Sequence, residues 1–236
     1  MAILSRRVFL ALAAGVAGVA GGLGVLGCGD AGTMAYFLTP EQRIEPKIKH
    51  LAIEKDDKKP APRVVILTWT ADLETRPEFI NADRQLAEGL GRELKDLAKG
   101  SDEKVEVVSG RKVEEFKNNH PNWRQMELAE IGRKFDADHL IYLEINQMSL
   151  YEPGSFNQLM RGRANITISL VDVKQPDESP RHETMSCIHP SDAPGPVQVG
   201  TDMQPHQFRE KFLNYVSRQM SHYFSKYPRE ERYRME

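Results

Sequence analysis

The side chains in this sequence that could do chemistry are few, and they stand apart. There are two cysteines, Cys28 and Cys187, and seven histidines, at positions 50, 120, 139, 182, 189, 206 and 222. A zinc site on a helix needs two histidines one turn apart. No pair here has that spacing, and His182-Glu183 lacks its second histidine. His182 and His189 could meet across a turn, or each could be a solvated loop side chain. Asp136 and Asp138 flank Ala137. Adjacent carboxylates suit general acid–base work, and they equally suit a helix-to-strand turn, where aspartate bonds nearby backbone. Across residues 63–227 there is no Gly-x-x-x-x-Gly-Lys-Ser/Thr, no Gly-x-Gly-x-x-Gly and no Gly-x-Ser-x-Gly. We therefore expect no enzyme, no catalytic or metal-binding residue and no cofactor.

Cys28 differs from the other reactive residues in what precedes it. Arg6 and Arg7 make a positive start, Val8 to Gly27 are 20 residues without a charge, and small Gly27 stands just before the cysteine. A basic start, an apolar core and a small residue at the end mark a signal peptide, here residues 1–27. Val25-Leu26-Gly27-Cys28 resembles the lipobox of bacterial lipoproteins. The resemblance implies that the Cys28 thiol takes a diacylglycerol, that the chain is cut before it, and that the new amine takes a fatty acyl chain such as palmitate. Each buried methylene contributes about 0.8 kcal/mol, and two anchoring signals hold a protein stably. The expected location is the cell envelope, on the extracytoplasmic (periplasmic) side of a membrane, held by lipid on Cys28. A rival reading is an uncleaved anchor, since 20 uncharged residues can span a ~30 Å hydrocarbon core. Glycines 15, 18, 21, 22, 24 and 27 weaken that helix, at about 1 kcal/mol each. Ser5-Arg6-Arg7-Val8-Phe9-Leu10 resembles a twin-arginine export signal and also reads as an ordinary basic start.

The charge balance narrows the partners. The chain has 32 Lys and Arg against 34 Asp and Glu, a formal net charge of −2, and loss of Arg6 and Arg7 with residues 1–27 takes it to −4. That speaks against nucleic acid, which calls for a basic stripe. With Cys28 lipidated, Cys187 has no second cysteine, so a disulfide framework is excluded. Cys187 alternates with Met185 and is expected as a small buried hydrophobe.

Periodicity then supplies the elements. Residues 28–62 read as a lipid-anchored tether, rich in charge and proline and ending Lys55-Asp56-Asp57-Lys58-Lys59-Pro60. Met34, Tyr36, Phe37 and Leu38 depart from it, either lying in the membrane interface or packing on the domain edge. Val64 to Trp69 is a continuous apolar run, as in a strand covered on both faces. Asn81 is expected to cap a helix through Lys99, with Leu86, Leu90, Leu94 and Leu97 on one face and Gly100 as its stop. A strand over Lys104–Ser109 follows, then a short helix capped by Ser109 and a helix over Asn122–Phe135. His139–Leu150, Met160–Val173 and Arg181–Ile188 read as strands. In the second of these, Ala164, Ile166, Ile168 and Leu170 alternate with Asn165, Thr167 and Ser169, one face buried and one wet. Pro205–Lys226 is the strongest helix, with Phe208, Phe212, Tyr215, Val216, Tyr223 and Phe224 at helical spacing. The order β-α-β-α-α-β-β-β-α gives an α/β (α+β) domain over 63–227, a mixed sheet of about five strands with helices packed on it, and a charged tail over 228–236.

This order resembles a known group. Val105-Glu106-Val107-Val108-Ser109, then Ile131 to Asp138 running into a strand, then Ile168 to Val173, look like the α/β domain of the TolB amino-terminal domain, the curli secretion lipoprotein and the lipoprotein activators of penicillin-binding proteins. With Tyr36 to Pro40, Asn119 to Trp123 and Leu213 to Val216, the whole chain resembles a family of uncharacterised bacterial lipoproteins. The resemblance implies an envelope binding or regulatory protein with another envelope protein as its partner. A structural subunit that forms homo-oligomers through its sheet edge, and an enzyme with an unfamiliar site, are the alternatives. Candidate contacts with a partner are Trp123, Phe156, Leu159 and Arg161. Trp123 is either a partner-facing anchor or a staple at the start of a helix. The stretch Tyr151 to Arg163 carries a Pro153-Gly154 turn signal and is either a contact loop, apolar residues bordered by Arg161 and Arg163, or a lid over the open end of the sheet.

Overall fold

The computed structural model describes residues 43–70, 77–175, 178–191 and 195–229, all within one compact unit that begins at Glu41. The expected signal peptide 1–27, Cys28 and the Met34–Leu38 patch lie outside the described residues. Among the described residues, ten strands and four α-helices follow in chain order: β1 Arg43–Ile44, β2 Ile53–Glu54, β3 Arg63–Thr70, α1 Ala82–Gly100, β4 Glu103–Lys104, β5 Glu106–Val107, α2 Gly110–Asn119, α3 Leu128–Lys134, β6 His139–Tyr151, β7 Leu159–Asp172, β8 Arg181–His189, β9 Val197–Gln198, α4 Pro205–Ser221 and β10 Tyr227–Pro228.

The main sheet has the order β5-β3-β6-β7-β8, with short β9 beside β7. β3 runs parallel to β5 and β6, as the intervening helices require, while β6, β7 and β8 form an antiparallel meander. The expected α/β architecture, a mixed sheet with helices packed on it, is therefore the observed one. α1 and α4 cover one face, burying Leu86, Leu90, Leu94, Phe208, Phe212 and Val216 against β6 and β7. α2 and α3 cover part of the other, with Val113, Phe116 and Ile131 against Val65, Leu67 and Leu140. The rest of that second face is a polar ladder: Asn146 Nδ2 donates to Asn165 Oδ1 and Thr167 Oγ1, each at 2.9 Å, and Asn165 Nδ2 to Ser186 Oγ at 2.8 Å.

Several local expectations are corrected. The strand over Lys104–Ser109 is two short pieces, β4 pairing with β2 and β5 with β3. The helix over Asn122–Phe135 is a 3-10 turn at Trp123–Gln125 and then α3, because Met126 and Glu127 are extended. Neither Asn81 nor Ser109 caps its helix through its side chain; Asn81 sits at a left-handed φ of 58°. α4 ends at Ser221, since the carbonyls of Tyr223 and Phe224 accept hydrogen bonds from Ile48, Lys49 and Leu51 instead of continuing the helix. Those bonds also correct the tether. From Arg43 onward it belongs to the domain, with Ile48, Leu51 and Ala52 buried, β1 paired with β10 and β2 with β4. Pro228, with which the expected tail begins, is the second residue of that β10.

Candidate functional site

β6 and β7 extend past the end of β3, and the connection between them is built from two tight turns. In Glu152-Pro153-Gly154-Ser155 the Ser155 N–H donates to Glu152 O at 3.2 Å and Gly154 has a φ of 78°. Pro at the second position and a positive-φ glycine at the third are the residues this turn geometry needs. In Ser155-Phe156-Asn157-Gln158 the Gln158 N–H donates to Ser155 O at 3.0 Å, with φ of 52° at Phe156 and 62° at Asn157. Asparagine tolerates that region, but a bulky phenylalanine there is a true outlier, costing about 1–3 kcal/mol. Glu152 N–H donates to Leu159 O at 2.9 Å, closing the base, and Val199 N–H donates to Gln158 O at 2.9 Å. Arg163 Nη2 reaches both Glu152 oxygens, at 2.9 and 2.8 Å.

The result is a fixed tip with one large apolar side chain in water: Phe156 is 93% exposed. The lid reading therefore fails for Phe156. The other expected contacts do not join it. Leu159 is half-buried at the start of β7, opposite Gln198, and Met160 is in the core. Arg161 lies 3.7 Å from Glu152 and donates to Ser191 O at 3.4 Å, so it braces the base of the tip rather than rimming an open surface. Trp123 is only 9% exposed, packed in the second core with the Lys117 ammonium 5.6 Å from its ring centre. That is the arrangement of a staple beside the helix start, and it leaves little surface for a partner. A phenylalanine in a turn that favours asparagine or glycine is a signal readable only once the register of β6 and β7 is known.

The remaining reactive groups are spread over other places. Asp138 accepts from Arg63 N–H at 2.7 Å and pairs with Lys174, while Asp136 takes a left-handed φ of 50°, so both serve the turn into β6. Burial pushes the Asp138 carboxyl up, but the Arg63 N–H and Lys174 outweigh it and hold it below the usual range. His182 bonds Ser169 Oγ at one end of β8 and His189 stacks on Tyr215 at the other, so these two histidines do not meet. Among the described residues no group of three His, Cys, Asp or Glu side chains is placed to hold a metal ion. No helix of the described residues is long and apolar enough to cross a membrane.

A cleft of about 820 Å³ runs beside β8 and α4, lined among others by Ile44, Lys47, Cys187, Tyr215, His222 and Tyr227. Burial pushes the Cys187 thiol up to about 12, so it stays protonated and unreactive. Burial, with Arg218 and Lys47 near, pushes the His222 imidazole down to about 4. A protonated thiol and a neutral imidazole thus face this cleft.

No protein-family model and no curated protein matches this chain. Solved structures show distant likenesses. The PelC dodecamer from Paraburkholderia phytofirmans aligns at 10% identity over 78% of this chain and 96% of its own, with a TM-score of 0.42. Lipoprotein GNA1162 from Neisseria meningitidis aligns at 13% identity over 69% of this chain and 99% of its own, TM-score 0.38. Protein XCC0632 from Xanthomonas campestris, of family DUF330, aligns at 10% identity over 74% and 88%, TM-score 0.42. At these scores the likenesses carry no activity over to this chain.

Proposed function

We propose that this chain is an envelope lipoprotein, held to a membrane by lipid on Cys28, that acts as a non-catalytic binding or regulatory module for another envelope protein, with the Phe156 tip as its contact. The basic start, the uncharged run and the cysteine after Gly27 support the anchor. The resemblance to the penicillin-binding-protein activators and their group supports the role. The observation that carries the contact is Phe156, 93% exposed on a left-handed backbone inside a loop closed by two turn hydrogen bonds. Local strain kept at a solvent-facing apolar residue is characteristic of sites that bind.

Two variants of the full chain test this. Cys28→Ala should leave an uncut precursor that takes up no fatty-acid analogue in metabolic labelling; equal label in variant and parent would refute the anchor. Phe156→Asn should keep or raise the melting temperature, because asparagine accepts the left-handed φ, while in-membrane cross-linking from position 155 to a discrete envelope protein falls. Unchanged cross-linking would overturn the contact, and a stability loss of about 2–5 kcal/mol, as for a core truncation, would place Phe156 in the core.

A further inference from the structure

β8 ends the sheet, and among the described residues no strand pairs with its outer side. Every second residue of such an edge turns its N–H and C=O outward, which is a template for another strand. Natural edges are blunted by charge, and here the fixed charges sit at one end only, on Arg181 and Glu183. Thr184 to Ile188 carry none, and Ile188 is 46% exposed. The uncharged half is also where the 820 Å³ cleft lies: consecutive Ser186, Cys187 and Ile188 line it, so it touches both faces of the strand and its edge. Its other walls are β6 and β7, through Gln147, Arg163 and Asn165, α4, through Tyr215 and His222, and the β1–β10 ribbon, through Ile44 and Tyr227.

We infer that this cleft is a second binding site, separate from the Phe156 tip, and that it takes an extended peptide segment of another protein as an added strand along Ser186–Ile188. Main-chain hydrogen bonds to the edge supply affinity, and alternate side chains supply selectivity. Side chains turned toward α4 meet Cys187, Tyr215 and Tyr227 and are apolar. Those turned to the opposite face meet Asn165 and Ser186 and are small and polar. One acidic side chain completes the match. Lys47 lies on the cleft wall, its ammonium 3.4 Å from the Tyr223 hydroxyl and over that ring, and no described carboxylate pairs with it, whereas Glu45 is held by Lys226 and Arg163 by Glu152. A free segment fits this place better than a second copy of the chain. A strand embedded in another sheet would bring its own helices and ribbon against Ile44 and Tyr227, while a slender segment passes between the walls.

The probe is a blocked eight-residue peptide of alternating valine and threonine with a central glutamate, titrated into the full chain in detergent. Two further peptides carry N-methyl groups on alternate residues, one in each phase. An added strand bonds the edge through one phase only, so one methylated peptide should bind like the parent and the other should not bind. Lys47→Glu should weaken the parent peptide by up to about fivefold, the size of an exposed ion pair, and a glutamate-to-lysine peptide should lose the same against the unaltered chain. Equal binding of both methylated peptides, or no binding of the parent at millimolar concentration, would overturn the inference. So would a chain that elutes as a dimer at all concentrations and excludes the peptide, since a second copy would then hold the edge.

Discussion

His222 is the residue at which the structure makes its sharpest demand on solution conditions. Its side chain is buried and its ring stacks on Tyr227, centroids 3.7 Å apart and 11° from parallel. Its folded-state value is about 4, against about 6.5 for the unfolded chain. The unfolded chain therefore binds the proton first as pH falls. The stabilisation is fully present above pH ~6.5 and is lost progressively toward pH 4, by on the order of 3 kcal/mol at about 1.4 kcal/mol per unit. His139 and His189 are also lowered, first by burial, and act in the same direction. Asp138 and Asp172 are held below their usual range, so their contribution is lost only at still lower pH. Urea denaturation at pH 7 and pH 4.5 should show the drop, and His222→Gln should remove most of it. An undiminished drop in the variant would show that His222 is charged in the folded state.

Between elements, the closest seats are where a strand or helix presents a glycine. Gly162 of β7 faces Phe212 of α4, and a Cβ there would run into the phenyl ring; Gly132 of α3 stands in the same relation to Val173. These glycines are small because a second layer lies on them, not because a turn needs them. Gly162→Ala should destabilise the domain by about 1–3 kcal/mol, as overpacking does, and adding Phe212→Leu should recover part of the loss in the same denaturant titration. A neutral Gly162→Ala would mean that α4 is not seated on β7 as described. The turn chemistry of the tip belongs to this scale too. Pro153-Gly154 is legible as a turn from its residue types alone. The second turn is not, because Phe156-Asn157 resembles no favoured pair and is held open by the pairing of Tyr151 with Met160 and by the Glu152–Arg163 clamp.

For the whole molecule, the part most at variance with its composition is the stretch before β3. A run of lysines, acids and prolines reads as solvated tether, yet three of its residues, Ile48, Leu51 and Ala52, are buried, and its backbone bonds the end of α4. Burying one large aliphatic side chain is worth about 1.5–3 kcal/mol. A chain that starts at Pro60 should therefore unfold at lower urea than one that starts at Glu41, by about 3–6 kcal/mol of stability. Equal midpoints would return residues 43–59 to the tether.

Local pattern alone was enough to place β3, α1, β6, β7, β8 and α4, because each buries one face and burial imposes its period on the residues. The proposed anchor at Cys28 also rests on local pattern, since its signal is contiguous in sequence. Only the tertiary structure decided the rest, for one physical reason: those outcomes depend on contacts between distant residues. Trp123 was an anchor or a staple until α2 and β3 closed over it. Arg161 was a rim residue until Glu152 folded back to it, and the charge around Ile48 and Leu51 hid them until Tyr223 and Phe224 supplied carbonyls and a surface. Phe156 was a contact or a lid, and its exposure follows from a backbone conformation that the residue itself disfavours and that the strands on either side impose.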